Sequence, residues 1–173
     1  MESFVRVARS GSFTIAANTT AVVFPSALTL LTGTVAGTVT LTANIVNGPS
    51  NVPVASVDIL ATPPQMTAVA AVKTTGGLDV QITGYASARR VTSVEFDFEV
   101  KSGTKTVTQT LSRSVDNEFS AWFNSAASGV FGGQFSFVQS FLIANGDASS
   151  IVSVTVRLTN AQGSTTSNKL VPQ

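Results

Sequence analysis

The segment Val94-Glu-Phe-Asp-Phe-Glu-Val100 carries the densest chemistry in the chain. Val94, Phe96, Phe98 and Val100 alternate with Glu95, Asp97 and Glu99, so a β-strand here would set the three carboxylates on one face, about 6.6–6.8 Å apart. Carboxylates are the ligands of hard cations, but Ca²⁺ needs oxygens converging at ~2.3–2.6 Å, usually from a loop. A straight stripe cannot converge three of them on one ion. Two members of the row match a glycosidase pair by distance, yet that chemistry also needs a cleft and a sugar platform. The pattern therefore predicts a solvated strand face whose acids meet cations, Arg157 or Lys105, on neighbouring strands. Glu95, Asp97 and Glu99 remain the candidate metal ligands, with Asp147 of Asn145-Gly146-Asp147 beside them. That tripeptide has the flavour of a Ca²⁺ loop without the rest of its signature, and reads first as a turn.

Two further groups could bind rather than react. Arg89-Arg90 suits an acidic partner or a sugar acid; a basic pair before a strand is expected to be solvated, or to pair with Glu95 or Asp97. Tyr85, Trp122 and Phe123 could form an aromatic platform for carbohydrate. Trp122 is the chain's only Trp and lies among apolar neighbours, so it is expected in the core, and a buried Tyr85 hydroxyl is expected to find a backbone partner. The possible binding surface is thus Tyr85, Arg89, Arg90 and Trp122.

Catalysis has little to work with. There is no His and no Cys, which removes Ser-His and Cys-His nucleophiles, thiolate metal sites and disulfides. Ser–Lys pairs and Lys–Asn isopeptide cross-links remain conceivable, but no spacing singles out Lys73, Lys101, Lys105 or Lys169. The Gly-rich stretch Thr32-Gly-Thr-Val-Ala-Gly37 is not a phosphate cradle, because a P-loop needs Gly-Lys-Ser/Thr running into a helix and a Thr/Val strand follows here. Gly33 and Gly37 are expected to mark a tight connection or bulge between two strands. No catalytic residue, cofactor or enzymatic activity is expected.

The elements that must carry these residues are strands. Helical periodicity is weak and period-2 alternation recurs. In the run from Thr38 to Val46, Val39, Leu41, Ala43 and Ile45 share one face while Thr40, Thr42 and Asn44 share the other. Earlier runs include "SFTIAA", "TAVVF", which ends at Pro25, and "LTLL"; "VASVDIL" precedes Thr62-Pro63-Pro64. Beyond the prolines, strands are expected over Thr67 to Val72, Leu78 to Thr83, Val91 to Lys101, Lys105 to Ser112, Gln134 to Ile143, Ile151 to Asn160 and Thr166 to Val171. A short helical turn is expected within 117–128, with Phe119, Trp122 and Phe123 facing inward.

Composition bounds the class. Of 173 residues 43% are hydrophobic, enough for a packed core, while only 11% are charged, against about 25% in an ordinary soluble domain. Ser, Thr, Asn and Gln must cover the surface, a coat that suits secreted and cell-surface β proteins. The net charge is +1 and no basic block exceeds two residues, so neither nucleic acid nor an anionic membrane is an expected partner. No stretch is long and apolar enough to cross a membrane, and "MESFVRVARSGSF" lacks the apolar core of a signal peptide.

Pro63-Pro64 is the best boundary: it stiffens the backbone between two strand-like runs. Seven antiparallel strands over 65–173 describe an immunoglobulin-type sandwich. A weak internal repeat links the two parts: "FTIAAN" at Phe13 echoes "FLIANG" at Phe141, and "VTLTANIVNG" ending at Gly48 echoes "VTVRLTNAQG" ending at Gly163. Residues 1–62 then read as the closing strands of a partial unit, 63–64 as a hinge and 65–173 as a complete one. "TGTVAGTVTLTANI", the proline hinge and "LDVQITGYASARRVTSVEFDF" resemble the Ig-like repeats of large secreted or surface proteins of bacteria. In those a "GYSTTR"-like segment, matched by Gly84-Tyr85-Ala86-Ser87-Ala88-Arg89, precedes an "FGSQF"-like turn, matched by Phe131-Gly132-Gly133-Gln134-Phe135. The resemblance covers roughly residues 11–173 and implies an all-β, antiparallel Ig-like sandwich in an extracellular or cell-surface setting. The expected function is a non-enzymatic structural spacer whose partners are neighbouring Ig-like units or identical chains. The alternatives are an adhesion module for glycan or protein, and a fibre subunit whose first unit is completed by a neighbouring chain.

Overall fold

The computed structural model describes residues 33–43, 52–144 and 147–173, preceded by four two-residue strands. Those are β1 (Arg6–Val7), β2 (Thr14–Ile15), β3 (Val22–Val23) and β4 (Leu30–Leu31), paired β1 with β4 and β2 with β3. The rest of the early strand runs, and the Asn145-Gly146 turn, lie outside the described residues. β5 (Gly37–Ala43) and β6 (Val52–Ile59) form an antiparallel pair. In β5 the expected alternation is present where side chains are described: Val39 is buried and Leu41 half-buried, between exposed Thr38, Thr40 and Thr42.

After Pro64 the chain folds into an antiparallel β-sandwich of seven strands. These are β7 (Gln65–Thr74), β8 (Gly77–Tyr85), β9 (Ser93–Ser102), β10 (Lys105–Ser114), β11 (Gln134–Leu142), β12 (Ile151–Asn160) and β13 (Gly163–Thr166). One sheet has the order β11-β8-β7, the other β10-β9-β12-β13. Consecutive strands form the hairpins β7–β8, β9–β10 and β12–β13. β8 to β9, β10 to β11 and β11 to β12 change sheets, a Greek-key type of connectivity. The fold is all-β and antiparallel.

Alternation builds the core. Leu78, Val80 and Ile82 of β8 and Phe135 of β11 face Val94, Phe96 and Phe98 of β9 and Val154, Val156 and Leu158 of β12. Phe141 bridges the layers edge-on, 4.9 Å from the ring of Phe96 and 5.0 Å from that of Phe98. Such edge-to-face pairs add to area burial. The last expected strand, Thr166 to Val171, is displaced: β13 runs over Gly163–Thr166 and ends where that expectation began, and 167–171 contributes one bridge, Leu170 to Val154. The backbone then passes to the other sheet, where Gln173 accepts from Lys73 N and donates to Ala71 O.

Between β10 and β11 the expected turn is a nine-residue helix, α1 (Asp116–Asn124), followed by a single turn, α2 (Ser128–Phe131). Val115, Phe119 and Phe123 recur at helical spacing and are buried against the sandwich, and Asp116 and Glu118 occupy the first turn where the helix dipole favours acids. Trp122 departs from the expectation of core burial. One position before Phe123, it falls on the flank of the buried stripe and is half-buried.

Candidate functional site

The acidic row lies on the outer face of β9, and each member has its own partner. Glu95 pairs with Arg157, its cross-strand neighbour on β12. Asp97 accepts from Thr110 Oγ1 at 2.6 Å on β10. Glu99 accepts from Ser153 Oγ at 2.8 Å and pairs with Lys169, which holds its carboxyl below the usual carboxylate range. Arg157 is therefore the cation expected there. Lys105 is not, because it stands opposite Ser102 at the hairpin end. Among the described residues no three His, Cys, Asp or Glu side chains converge on one point. Asp147 caps the short 3-10 turn Ala148–Ser150, accepting from Ser149 N at 2.7 Å and Ser149 Oγ at 2.8 Å, and the backbone N–H is the main cause of its lowered pKa.

Of the basic pair, Arg90 is solvated as expected, its side chain 60% exposed. Arg90 forms a two-pronged pair with Asp116 at 2.9 and 2.8 Å, at the start of α1, rather than with Glu95 or Asp97. That pair holds the Asp116 carboxyl below its ordinary range and the guanidinium above its own. Arg89 is turned inward. Its backbone closes a turn onto Ala86 O and takes φ 51°, the left-handed region that β-carbons disfavour. The guanidinium then reaches across the end of α1. It donates to Phe123 O, to Gly132 O at 3.0 Å and to Ser128 Oγ at 3.0 Å, with its carbon 5.5 Å from the centre of the Phe123 ring. The last carbonyls of a helix have no partner within it, and Arg89 supplies one. The local sequence offered no such partner: Asp116, Phe123, Gly132 and Ser128 lie 26 to 43 positions away.

Two places collect the singled-out residues. The first is a joint where "TGTVAG", "GYASAR" and "FGGQF" meet. Gly33–Ala36 form no strand; Gly33 turns with φ 73° and the segment lies against the sandwich. Ala36 N donates to Ser87 O at 2.8 Å, Gly133 N to Thr34 Oγ1 at 3.0 Å, and Ala86 N to Gly133 O at 2.8 Å. Gly133 has no room for more: a β-carbon there would sit 2.7 Å from Ala86 O and 2.9 Å from Thr34 O. The proline segment is fastened beside it. Thr62 N donates to Ser87 Oγ at 2.9 Å, Asn160 Nδ2 donates to Thr62 O at 3.0 Å, and Pro64 is buried. Gly33 to Gly37 is the connection between two strands, β4 and β5, rather than a bulge, and it also docks on the sandwich.

No family model, curated protein or solved structure matches the chain. The reading of the site therefore rests on its own geometry.

The second place is a cleft of about 530 Å³ on the outer face of the three-stranded sheet. Thr67, Thr83, Tyr85, Gln134 and Ser136 line its sheet side, and Trp122 and Phe131 stand at its helical side. Trp122 donates its indole N–H to Gln134 O at 2.9 Å, on the open edge of β11. Its ring centroid is 6.2 Å from that of Phe131, with planes inclined by 31°. The aromatic set thus differs from the one expected. Phe123 is buried among Phe119 and the core, and Phe131, which alternation could not assign, takes its place. The usable signal was composition: a Phe directly before Gly132-Gly133 sits at a turn, where rings stay exposed.

Proposed function

We propose that this chain is a non-enzymatic structural spacer, an Ig-like module of a bacterial extracellular or cell-surface protein whose neighbours are further units of its kind. The observation that carries this reading is the joint. Three separate segments of the sequence spend their unusual residues on fastening residues 33–36 and 62 to the sandwich, through Thr34, Ala36, Ser87 and Gly133. A spacer needs this, because its output is a defined angle and length between the parts it joins. The terminal clamp supports the same reading. Gln173 pairs with β7 in the parallel sense, through Lys73 N at 2.7 Å and Ala71 O at 3.0 Å. Tension entering at Gln65 and leaving at Gln173 loads those bonds in shear, so they share the force instead of opening one at a time.

Single-molecule stretching of the full chain tests this. The spacer reading expects a low-force opening of the joint, followed by one cooperative rupture of the sandwich at higher force. Extension of residues 65–173 without a force peak would remove its basis.

A further inference from the structure

We infer that the cleft between the outer face of β11-β8-β7 and the α1–α2 corner is a binding site for a neutral carbohydrate. The inference stands apart from the spacer reading and survives or fails without it. Three features of the lining select the ligand. The first is size: about 530 Å³ lies within the ~300–1,000 Å³ of small-ligand sites.

The second is the aromatic wall. Phe131 is 51% exposed and Val130 beside it 84% exposed, although the same corner buries Phe123 and Phe119. A ring left half in water beside Trp122 keeps apolar area available for a partner to cover. Trp122 is held in place by its bond to Gln134 O, so the wall is set before a ligand arrives, and preorganisation lowers the cost of binding.

The third is the polar side, which is made of hydroxyls and one amide. Thr67 Oγ1 donates to Thr83 O at 3.2 Å, which leaves its lone pairs as acceptors. Among the described residues, no group hydrogen-bonds the Tyr85 hydroxyl, the Gln134 amide or the Ser136 hydroxyl. No Asp, Glu, Lys or Arg lines the cleft. A charged ligand would lose its hydration with no counter-charge. A purely apolar one would cover hydroxyls without pairing them, leaving each desolvated with no partner. A pyranose ring meets both demands, with an apolar C–H face for Trp122 and Phe131 and equatorial hydroxyls for Tyr85, Gln134 and Ser136.

The single Trp makes the test direct, since its emission reports from the cleft itself. The full chain is titrated with neutral hexasaccharides (cello-, malto-, xylo- and chito-), with polygalacturonate as the acidic probe and with anilinonaphthalene sulfonate as the apolar one. Saturable change in Trp122 emission with at least one neutral hexasaccharide is expected. Phe131→Ala and Tyr85→Phe should weaken it at least tenfold with unchanged circular dichroism. Intermolecular NOEs measured on the unaltered chain should link Trp122 and Tyr85 ring protons to the sugar, whatever the variants do. Silence toward every neutral sugar overturns the inference. So does a response to polygalacturonate alone, and so does dye binding lost in Phe131→Ala with no sugar response, which would make the cleft an apolar docking patch.

Discussion

Arg89 is the residue on which the helical corner depends. It accepts a disfavoured backbone conformation, and its guanidinium ties Phe123 O, Gly132 O and the buried Ser128 hydroxyl together. Arg89→Ala removes the charged donor shared by the three, leaving Phe123 O with Ser128 Oγ alone and Gly132 O without its side-chain partner, and should lower unfolding stability by about 1.5–3 kcal/mol in urea titrations. Arg89→Lys should recover little, because one ammonium cannot span three acceptors held by a planar fork. The surface acids act through pH instead. Glu99, held down mainly by Lys169, Asp116 by Arg90, and Asp147 by Ser149 N, all have folded pKa values below their ordinary ones. Their contribution is therefore complete above the usual carboxylate range and is lost as pH falls through it toward the depressed values. Melting temperature should be flat in mildly acidic buffers and decline below about pH 4. Molar salt should shrink the part due to Glu99 and Asp116, whose partners are exposed cations, and spare the part due to Asp147, held by a backbone N–H.

Among the elements, α1 and β10 show opposite dependence on packing. α1 is only nine residues long, too short to persist alone, and its N-cap residue Val115 offers no side-chain bond. Packing holds it: Phe119 is 3% exposed and meets Phe135 edge-on at 4.9 Å. Phe119→Ala should cost about 3–5 kcal/mol and shift Trp122 emission, since the same helix carries the cleft wall. β10 is exposed along its whole length, with Val107 41% and Leu111 51% in water. It is the edge of a four-stranded sheet opposed by a three-stranded one, so its inward-facing positions extend past the partner layer. Leu111→Ala should therefore cost less than about 1 kcal/mol, read in the same denaturation experiment. Its alternation with Thr and Ser reads as a half-buried strand, and strand pattern cannot reveal which strand overhangs.

At the scale of the whole molecule, stability and geometry are separable. The sandwich carries the core, whereas the joint rests on a few hydrogen bonds. Combining Thr34→Val with Ser87→Ala removes the acceptor of Gly133 N and that of Thr62 N without changing volume much. At about 1 kcal/mol per bond, the pair should leave the melting of residues 65–173 nearly unchanged. Amide exchange at Ala36, whose N–H bonds Ser87 O, should accelerate at least tenfold. Equal loss of protection throughout β8 and β12 would mean that the joint is part of the core.

Alternation alone was enough to read most of the sandwich. A strand's period of two, a local property of the backbone, places Val94, Phe96 and Phe98 inward and Glu95, Asp97 and Glu99 outward. The Arg157–Glu95 pair followed from the same logic, since charges outside a sheet find neighbours across the strands. The helix was half legible, because Val115, Phe119 and Phe123 keep helical spacing but a strand-rich context obscures so short a run. The cleft and the joint were decided by tertiary structure. Trp122 and Phe131 meet Tyr85 only because α1 and α2 stand beside a sheet face in which β8 and β7, unlike the adjacent β11, lie far off in sequence. Thr34 reaches Gly133 across 99 positions. Such meetings depend on which surfaces pack together, and no residue's own spacing encodes them.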